Sequence, residues 1–270
     1  MNTHEHDHDH DRGLDHDLPR LISRRRAVGL LAGGLGSALL AACGSSPSGH
    51  ATTGATSTPG SSDAAEIPEE TAGPFPGDGS NGPNVLEQSG VVRRDITRSI
   101  GDASGVADGV PTTIEMTLLD VAGGGGPLSG AAVYLWHCDR EGRYSLYDAE
   151  IAEENYLRGV QESDENGRVT FTTIFPAAYS GRWPHVHFEV YESLDAATAG
   201  GTKLRTSQLA IPQEACEAVY ATAGYEQSVA NLSHSSLETD NVFSDGVASQ
   251  LATASGGVED GYTLTLNVGV

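Results

Sequence analysis

Arg168-Val169-Thr170-Phe171-Thr172-Thr173-Ile174 follows the pair Asn166-Gly167 and runs into Pro176. Apolar and polar side chains alternate along it, the period of a strand with one buried face. Val169, Phe171 and Thr173 are therefore expected on one side. Asn-Gly is a strong hairpin-turn signal, and proline stops a strand by removing a donor. The same reading extends outward in both directions. Thr113 to Val121 alternates with Ile114, Met116 and Leu118 on one face, until Gly123 to Gly126 breaks it. Ala131 to Trp136 is a second strand, ended by Asp139-Arg140-Glu141-Gly142. His185 to Tyr191, Lys203 to Ile211 and Gly261 to Val268 are further strands. Helical periodicity is weak except over Gln213 to Ala223. Many short strands separated by turn residues predict an all-β, antiparallel β-sandwich with long loops.

The chain has 270 residues, 38% of them hydrophobic, enough for one sizeable β domain with terminal extensions or for two small domains. The net charge is −22, from 37 acidic and 15 basic residues. That balance argues against a nucleic-acid partner, because the phosphate backbone rewards clustered lysine and arginine.

The N-terminal part reads as an address. Residues 1–20 alternate His and Asp, a pattern of metal-binding tracts that disordered polar leaders also show. Arg24, Arg25 and Arg26 then precede the Gly/Ala-rich apolar run from Ala27 to Ala42, which is short for a membrane-spanning helix. A basic start, an apolar middle and small residues before a cleavage point make a signal peptide. Ser23-Arg24-Arg25 resembles a twin-arginine export signal. Leu40-Ala41-Ala42-Cys43 resembles a bacterial lipobox, in which the cysteine takes lipid. Residues 44–65, rich in Ser, Thr, Gly, Ala and Pro, read as a flexible linker. The expected organisation is a leader and signal over 1–43, a linker over 44–65 and a folded domain over 66–270. The expected location is the outer face of the cytoplasmic membrane, held only through lipid on Cys43. Cys138 and Cys216 remain as a pair able to form a disulfide, or as two separate buried thiols.

The densest chemistry lies in Tyr179-Ser180-Gly181-Arg182-Trp183-Pro184-His185-Val186-His187-Phe188. A strand sends residues i and i+2 to the same face. His185 and His187 therefore point together, with Val186 and Phe188 facing the opposite layer. Two imidazoles so placed suit one metal ion, without naming it. Tyr144 follows the Gly142-Arg143 turn, and Tyr179 precedes a bend able to fold back on the histidines. A phenol ionises near pH 10, so only a strongly Lewis-acidic ion holds it as phenolate at neutral pH, and ferric iron does this well.

Taken together, Glu70-Thr71-Ala72-Gly73-Pro74-Phe75, Pro127-Leu128-Ser129-Gly130-Ala131, Trp136-His137-Cys138-Asp139 with Gly142-Arg143-Tyr144, and Arg182-Trp183-Pro184-His185-Val186-His187 resemble the intradiol ring-cleavage dioxygenases, the family of protocatechuate 3,4-dioxygenase and catechol 1,2-dioxygenase. The resemblance runs from about Glu70 to Gln208. It implies a β-sandwich and a mononuclear non-haem Fe(III) held by Tyr144, Tyr179, His185 and His187. It implies Arg182 as the group steadying negative charge on substrate and Tyr179 as a base that releases the metal. Gln208, in Thr206-Ser207-Gln208-Leu209, matches a glutamine near the substrate ring less closely, because the Ala196 to Gly201 stretch upsets the register. The implied partners are a catechol-type small molecule and O2, and the implied product is a muconate-type diacid. His137 is given a supporting or packing role. The long N-terminal helical region of the soluble catechol enzymes is lacking, so oligomeric state does not carry over. Two alternatives stay open: a zinc hydrolase or lyase using His185 and His187 with Glu189, which is in phase with them, and a non-catalytic aromatic- or metal-binding module.

Overall fold

The strand readings translate directly into two sheets. The computed structural model describes residues 65–270; the leader, signal, Cys43 and nearly all of the linker lie outside them. The first sheet contains β1 (Pro111–Asp120), β2 (Gly126–Pro127), β5 (Arg168–Ile174), β8 (Thr253–Gly257) and β9 (Gly261–Gly269). The second runs β4 (Arg158–Glu162), β3 (Ala132–Trp136), β6 (His185–Tyr191), β7 (Lys203–Ala210) in that order. Three short helices follow the later strands: α1 (Leu194–Thr198), α2 (Gln213–Tyr220) and α3 (Glu226–Leu232). Among the described residues no helix is long and apolar enough to cross a membrane.

The alternation in β1 and β5 does what its period dictates. Ile114, Met116, Leu118, Val169 and Phe171 are buried and meet Val133, Leu135, Val186, Phe188 and Leu209 of the other sheet in one apolar core. Each such side chain removed from water contributes about 1.5–3 kcal/mol. A second apolar cluster covers the outer face of the second sheet, where Tyr134, Trp136, Val160 and Tyr191 pack against Val85, Leu86, Val91 and Tyr144. That outer layer of loops is what allows a site to exist there at all.

Two expectations need correction and one open alternative is decided. Asn166-Gly167 does turn the chain, but not into a hairpin. β4 pairs with β3, whereas β5 pairs with β1, so the turn crosses from one sheet to the other. Asp164 closes it by accepting from the backbone N–H groups of Asn166 and Arg168, and Gly167 sits at φ +74°. A β-carbon at Gly167 would lie 2.4 Å from the Leu118 carbonyl oxygen, so the pair serves a close approach between layers. Second, the sandwich is not purely antiparallel, because β1 and β9 run parallel from Thr112↔Tyr262 to Leu119↔Gly269. As for the alternative, Cys138 and Cys216 are free. Cys138 belongs to the outer-face cluster and donates to the Ala177 carbonyl, whereas Cys216 lies in α2 among the residues of the core between the sheets. Burial pushes both thiols well above their ordinary range, which makes them inert packing groups.

Candidate active site

β6 builds the site's floor. Val186 and Phe188 enter the inter-sheet core, which leaves His185 and His187 on the outer face, each nearly fully buried under the loops. His185 donates from Nδ1 to the Trp183 carbonyl at 2.6 Å, so its Nε2 presents a lone pair. His187 stacks on Trp136, its cross-strand neighbour, with ring centroids 5.0 Å apart and planes 5° from parallel. Gly73, at φ +70°, lies so close that a β-carbon there would touch His187 Cε1 at 3.2 Å.

The two tyrosines arrive on turns. After β3 the Asp139 carboxylate accepts from the backbone N–H of Glu141 and Arg143 and from Arg143 Nε, which folds the segment back and aims Tyr144 at the histidines. The fully buried Arg158 donates to the carbonyls of Pro76 and Ser145, tying together the two loops that carry Phe75 and Tyr144, whose rings sit 5.0 Å apart. Tyr179 follows Ala178, whose backbone N–H donates to Ser228 Oγ and whose carbonyl accepts from Asn231 Nδ2, both residues of α3.

These elements bring four donor atoms to one point. Tyr144 Oη lies 3.3 Å from Tyr179 Oη, Tyr179 Oη 3.1 Å from His185 Nε2, and His185 Nε2 3.0 Å from His187 Nε2. Arg182 Nη1 approaches the same His185 nitrogen at 3.4 Å. One lone pair thus meets three polar neighbours. His187 Nδ1, on the far side of its ring, has no protein partner. Burial pushes Tyr144 well above the ordinary phenol range, with the neighbouring Tyr179 adding to it, and pushes Tyr179 up to about 12. Burial holds His185 and His187 well below the ordinary imidazole range; Arg182 reinforces it at His185, and His185 and Arg182 reinforce it at His187. On their own the four groups are two neutral phenols and two neutral imidazoles crowded around one point. Atoms that share a cation at about 2 Å lie about 3 Å from one another, which is the spacing seen. The donor set of two oxygens and two nitrogens, with buried phenols that only a strongly charged ion would ionise, fits ferric iron.

Glu189 does not complete a zinc site. Its carboxylate accepts from Lys203 at 2.6 Å and from Tyr191 Oη at 2.7 Å, two residues further along β6 from His187. Among the described residues no cluster of three or more His, Cys, Asp or Glu side chains has metal-binding geometry. His137 also stays out of the cluster, bonded through Nδ1 to the Cys138 carbonyl and through Nε2 to Thr173 Oγ1. Gln208 does reach it. The Ala/Gly-rich stretch becomes α1 and a turn, the register shift it brings is confined to Val190/Tyr191, His187 pairs with Gln208 beyond it, and Gln208 Oε1 accepts from Arg182 Nη2 at 2.6 Å.

One buried residue at the site reads in the sequence only as part of a loop, Thr239-Asp240-Asn241 with Phe243, over the sandwich edge. Asp240, in the segment after α3, accepts from Arg182 Nε at 2.9 Å and from the backbone N–H of Trp183 at 2.7 Å. The only signal for it is an acid set beside Val242 and Phe243 in a tail without strands. A groove of about 740 Å³ lies elsewhere, on the outer face of the first sheet, lined by residues such as Glu115, Thr117, Arg168, Thr170 and Asn267. No histidine, tyrosine or cysteine lines it, so the reactive groups are not there.

Residues 81–199 match a family model described as "Dioxygenase". The chain resembles the intradiol ring-cleavage dioxygenases. A hydroxyquinol 1,2-dioxygenase of Corynebacterium glutamicum is 35% identical over 80 residues, 29% of this chain and 25% of that protein. A catechol 1,2-dioxygenase of Acinetobacter lwoffii is 36% identical over 56 residues, 20% of this chain and 18% of its own. The matched stretch thus spans a quarter or less of these curated relatives. The structure of an intradiol ring-cleavage dioxygenase from Tetranychus urticae superposes with a TM-score of 0.57 at 24% identity, covering 76% of this chain and 94% of that one, which shows a shared fold. The matched segment, residues 81–199, contains Tyr144, Tyr179, Arg182, His185 and His187; Gln208 and Asp240 lie beyond it.

Proposed function

We propose that this chain is an Fe(III)-dependent intradiol dioxygenase that opens catechol-type rings between their hydroxyl-bearing carbons, inserting both atoms of O2 to give a muconate-type diacid. The observation carrying the reading is the convergence of Tyr144 Oη, Tyr179 Oη, His185 Nε2 and His187 Nε2 within 3.0–3.3 Å steps. These four residues would hold the metal. Bound there, ferric iron acts as a Lewis acid that acidifies the catechol hydroxyls and activates the ring toward O2.

The protein's own groups supply the rest. Tyr179 is the only one of the four that remains part-exposed, so an incoming substrate meets it first. Its oxygen is placed to take a proton from a catechol hydroxyl, a base role in which geometry comes before pKa. Arg182 Nη1 faces the same point and offers a fixed positive charge where negative charge builds on the ring oxygens. Gln208 holds the guanidinium from the other side and is itself held by the Thr71 carbonyl at 2.9 Å. Phe75 and the Tyr144 ring, with Trp136 backing His187, give the site apolar neighbours against which a flat ring would pack. Export and anchoring through Cys43 would place this chemistry outside the cytoplasm, on external aromatics. Loss of membrane association in a Cys43→Ser variant tests that part, and unchanged association refutes it.

The central test is the visible spectrum of the purified domain with and without catechol. A broad tyrosinate-to-iron absorption that moves on catechol addition is the expected result. A colourless protein that carries zinc and does not change after ferric reconstitution overturns the reading.

A further inference from the structure

We infer that Asp240 is a positioning residue for Arg182, and that the segment after α3 completes the reactive centre by dictating which edge of that guanidinium the substrate meets. The inference rests on the functional reading above and deepens it. It starts from a count of donors. Arg182 carries five N–H bonds in a rigid fork. Asp240 takes the side edge, Nε at 2.9 Å and Nη2 at 3.4 Å, while Gln208 takes the remaining reach of Nη2 at 2.6 Å. Only Nη1 is left facing the donor cluster, 3.4 Å from His185 Nε2. The paired carboxylate holds the fork in the orientation that leaves Nη1 toward the cluster.

Asp240 is itself immobilised. Its side chain is fully buried, and Oδ2 also accepts from the Trp183 backbone N–H at 2.7 Å, one residue from Arg182. Oδ1 accepts from the backbone N–H groups of Val242 and Phe243 at 2.9 and 3.2 Å. The neighbours Val242 and Phe243 pack with Trp183 and Ala210 in an apolar cluster of their own, and the Phe243 ring lies 5.9 Å from the guanidinium carbon. Every donor around the carboxylate is an N–H, so an amide at this position must turn its own NH2 group against at least one of them. Asp240→Asn is nearly isosteric yet removes the charge and breaks the anchor. A buried charge left without its partner is also costly, so the pair is coupled in stability as well as in turnover.

The experiment is a double-mutant cycle on the iron-loaded protein. Turnover, KM for catechol, bound iron, the visible absorption and urea unfolding are measured for wild type, Asp240→Asn, Arg182→Met and the double variant. Expected for Asp240→Asn is a fall in kcat of about tenfold or more, the scale of losing one oriented donor. KM should move by less than about threefold, since a group acting only in the transition state lowers kcat alone. Iron content and the visible band stay at wild-type values. On the Arg182→Met background the same change adds no further loss in kcat, whereas unfolding still registers the lost bonds from Trp183, Val242 and Phe243. Equal losses in kcat on both backgrounds, loss of iron, or wild-type kcat in Asp240→Asn each overturn the inference. If Asp240→Asn does not fold, Asp240→Glu, which keeps the charge but shifts its reach, is read by the same criteria. A wild-type protein that opens no catechol ring refutes the functional reading and the inference together; an active wild type with a fully active Asp240→Asn refutes the inference alone.

Discussion

The two sides of β6 differ by one residue of register and by almost everything else. Val186, Phe188 and Val190 face a dry core in which only shape and apolar area matter. His185, His187 and Glu189 face a second layer of loops in which most polar atoms have a named neighbour or converge on the reactive point, His187 Nδ1 and Trp136 Nε1 excepted. The contrast shows that stability and chemistry can be read from one strand as separate accounts. The inner side tolerates substitution by volume, the outer side by donor geometry.

Substitution of adjacent residues breaks the comparison most directly. His187→Ala is expected to reduce ring opening to background and to lose iron. Wild-type turnover in that variant sinks the ligand set. Phe188→Ala, one position on, is expected to cost about 3–5 kcal/mol in urea unfolding, the range for emptying a buried aromatic site, while the folded fraction keeps its visible band. A cost below about 1 kcal/mol shows that the core is not anchored there.

His137 sharpens the contrast, being a histidine bonded to Thr173 of the first sheet and outside the donor cluster. Burial holds it down at about 4, against 6.5 in the open chain. A depressed imidazole stays neutral in the folded protein while the unfolded chain takes up a proton. Its contribution to stability is therefore full above pH 6.5 and is lost as pH falls from there toward 4. The expected loss is about 3 kcal/mol, read as the difference in acid sensitivity of urea unfolding between wild type and His137→Gln. Identical slopes between pH 6.5 and 4 contradict it.

Lys203 carries the smallest expected effect. It bridges Asp78, between Gly77 and Gly79, to Glu189 on the outer face of β6, at 2.5 and 2.6 Å. Lys203→Met leaves two buried carboxylates facing each other, yet the lysine side chain is 33% exposed, so water screens part of the loss. About 1–2 kcal/mol is expected rather than the full cost of a buried broken pair. Calorimetry that finds no change in Tm shows that this loop is held by other contacts.

Much of this comparison was legible before any coordinates. Ile114, Met116 and Leu118 fall on the buried side of β1 because a period of two admits no other arrangement. The His185/His187 pair shares a face for the same reason. β4 was not legible. Arg158-Gly159-Val160-Gln161-Glu162 opens with a charge and a glycine, both poor strand signals. Arg158 is buried because carbonyls of distant loops receive its N–H groups. Gly159 is needed because a β-carbon would meet Ile96 Cγ2 at 2.5 Å. Asp240 was illegible for a related reason: its partner Arg182 is 58 positions away, and only the folded tail brings them together. The misread Asn166-Gly167 turn shows the limit of local signals, since turn chemistry states that the chain reverses but not which sheet receives it.

The parallel pairing of β1 with β9 carries a consequence in time. β1 begins at Pro111, and the strand that lies along one whole edge of it is Gly261–Gly269. That edge cannot close until residues 261–269 have left the ribosome. A contact spanning so much sequence carries a large loop-closure penalty and slows folding. Until then β1 exposes unpaired backbone, the kind of edge on which chains aggregate. A stop codon placed before Gly261 would therefore be expected to yield insoluble protein even though every proposed iron ligand is present in what remains.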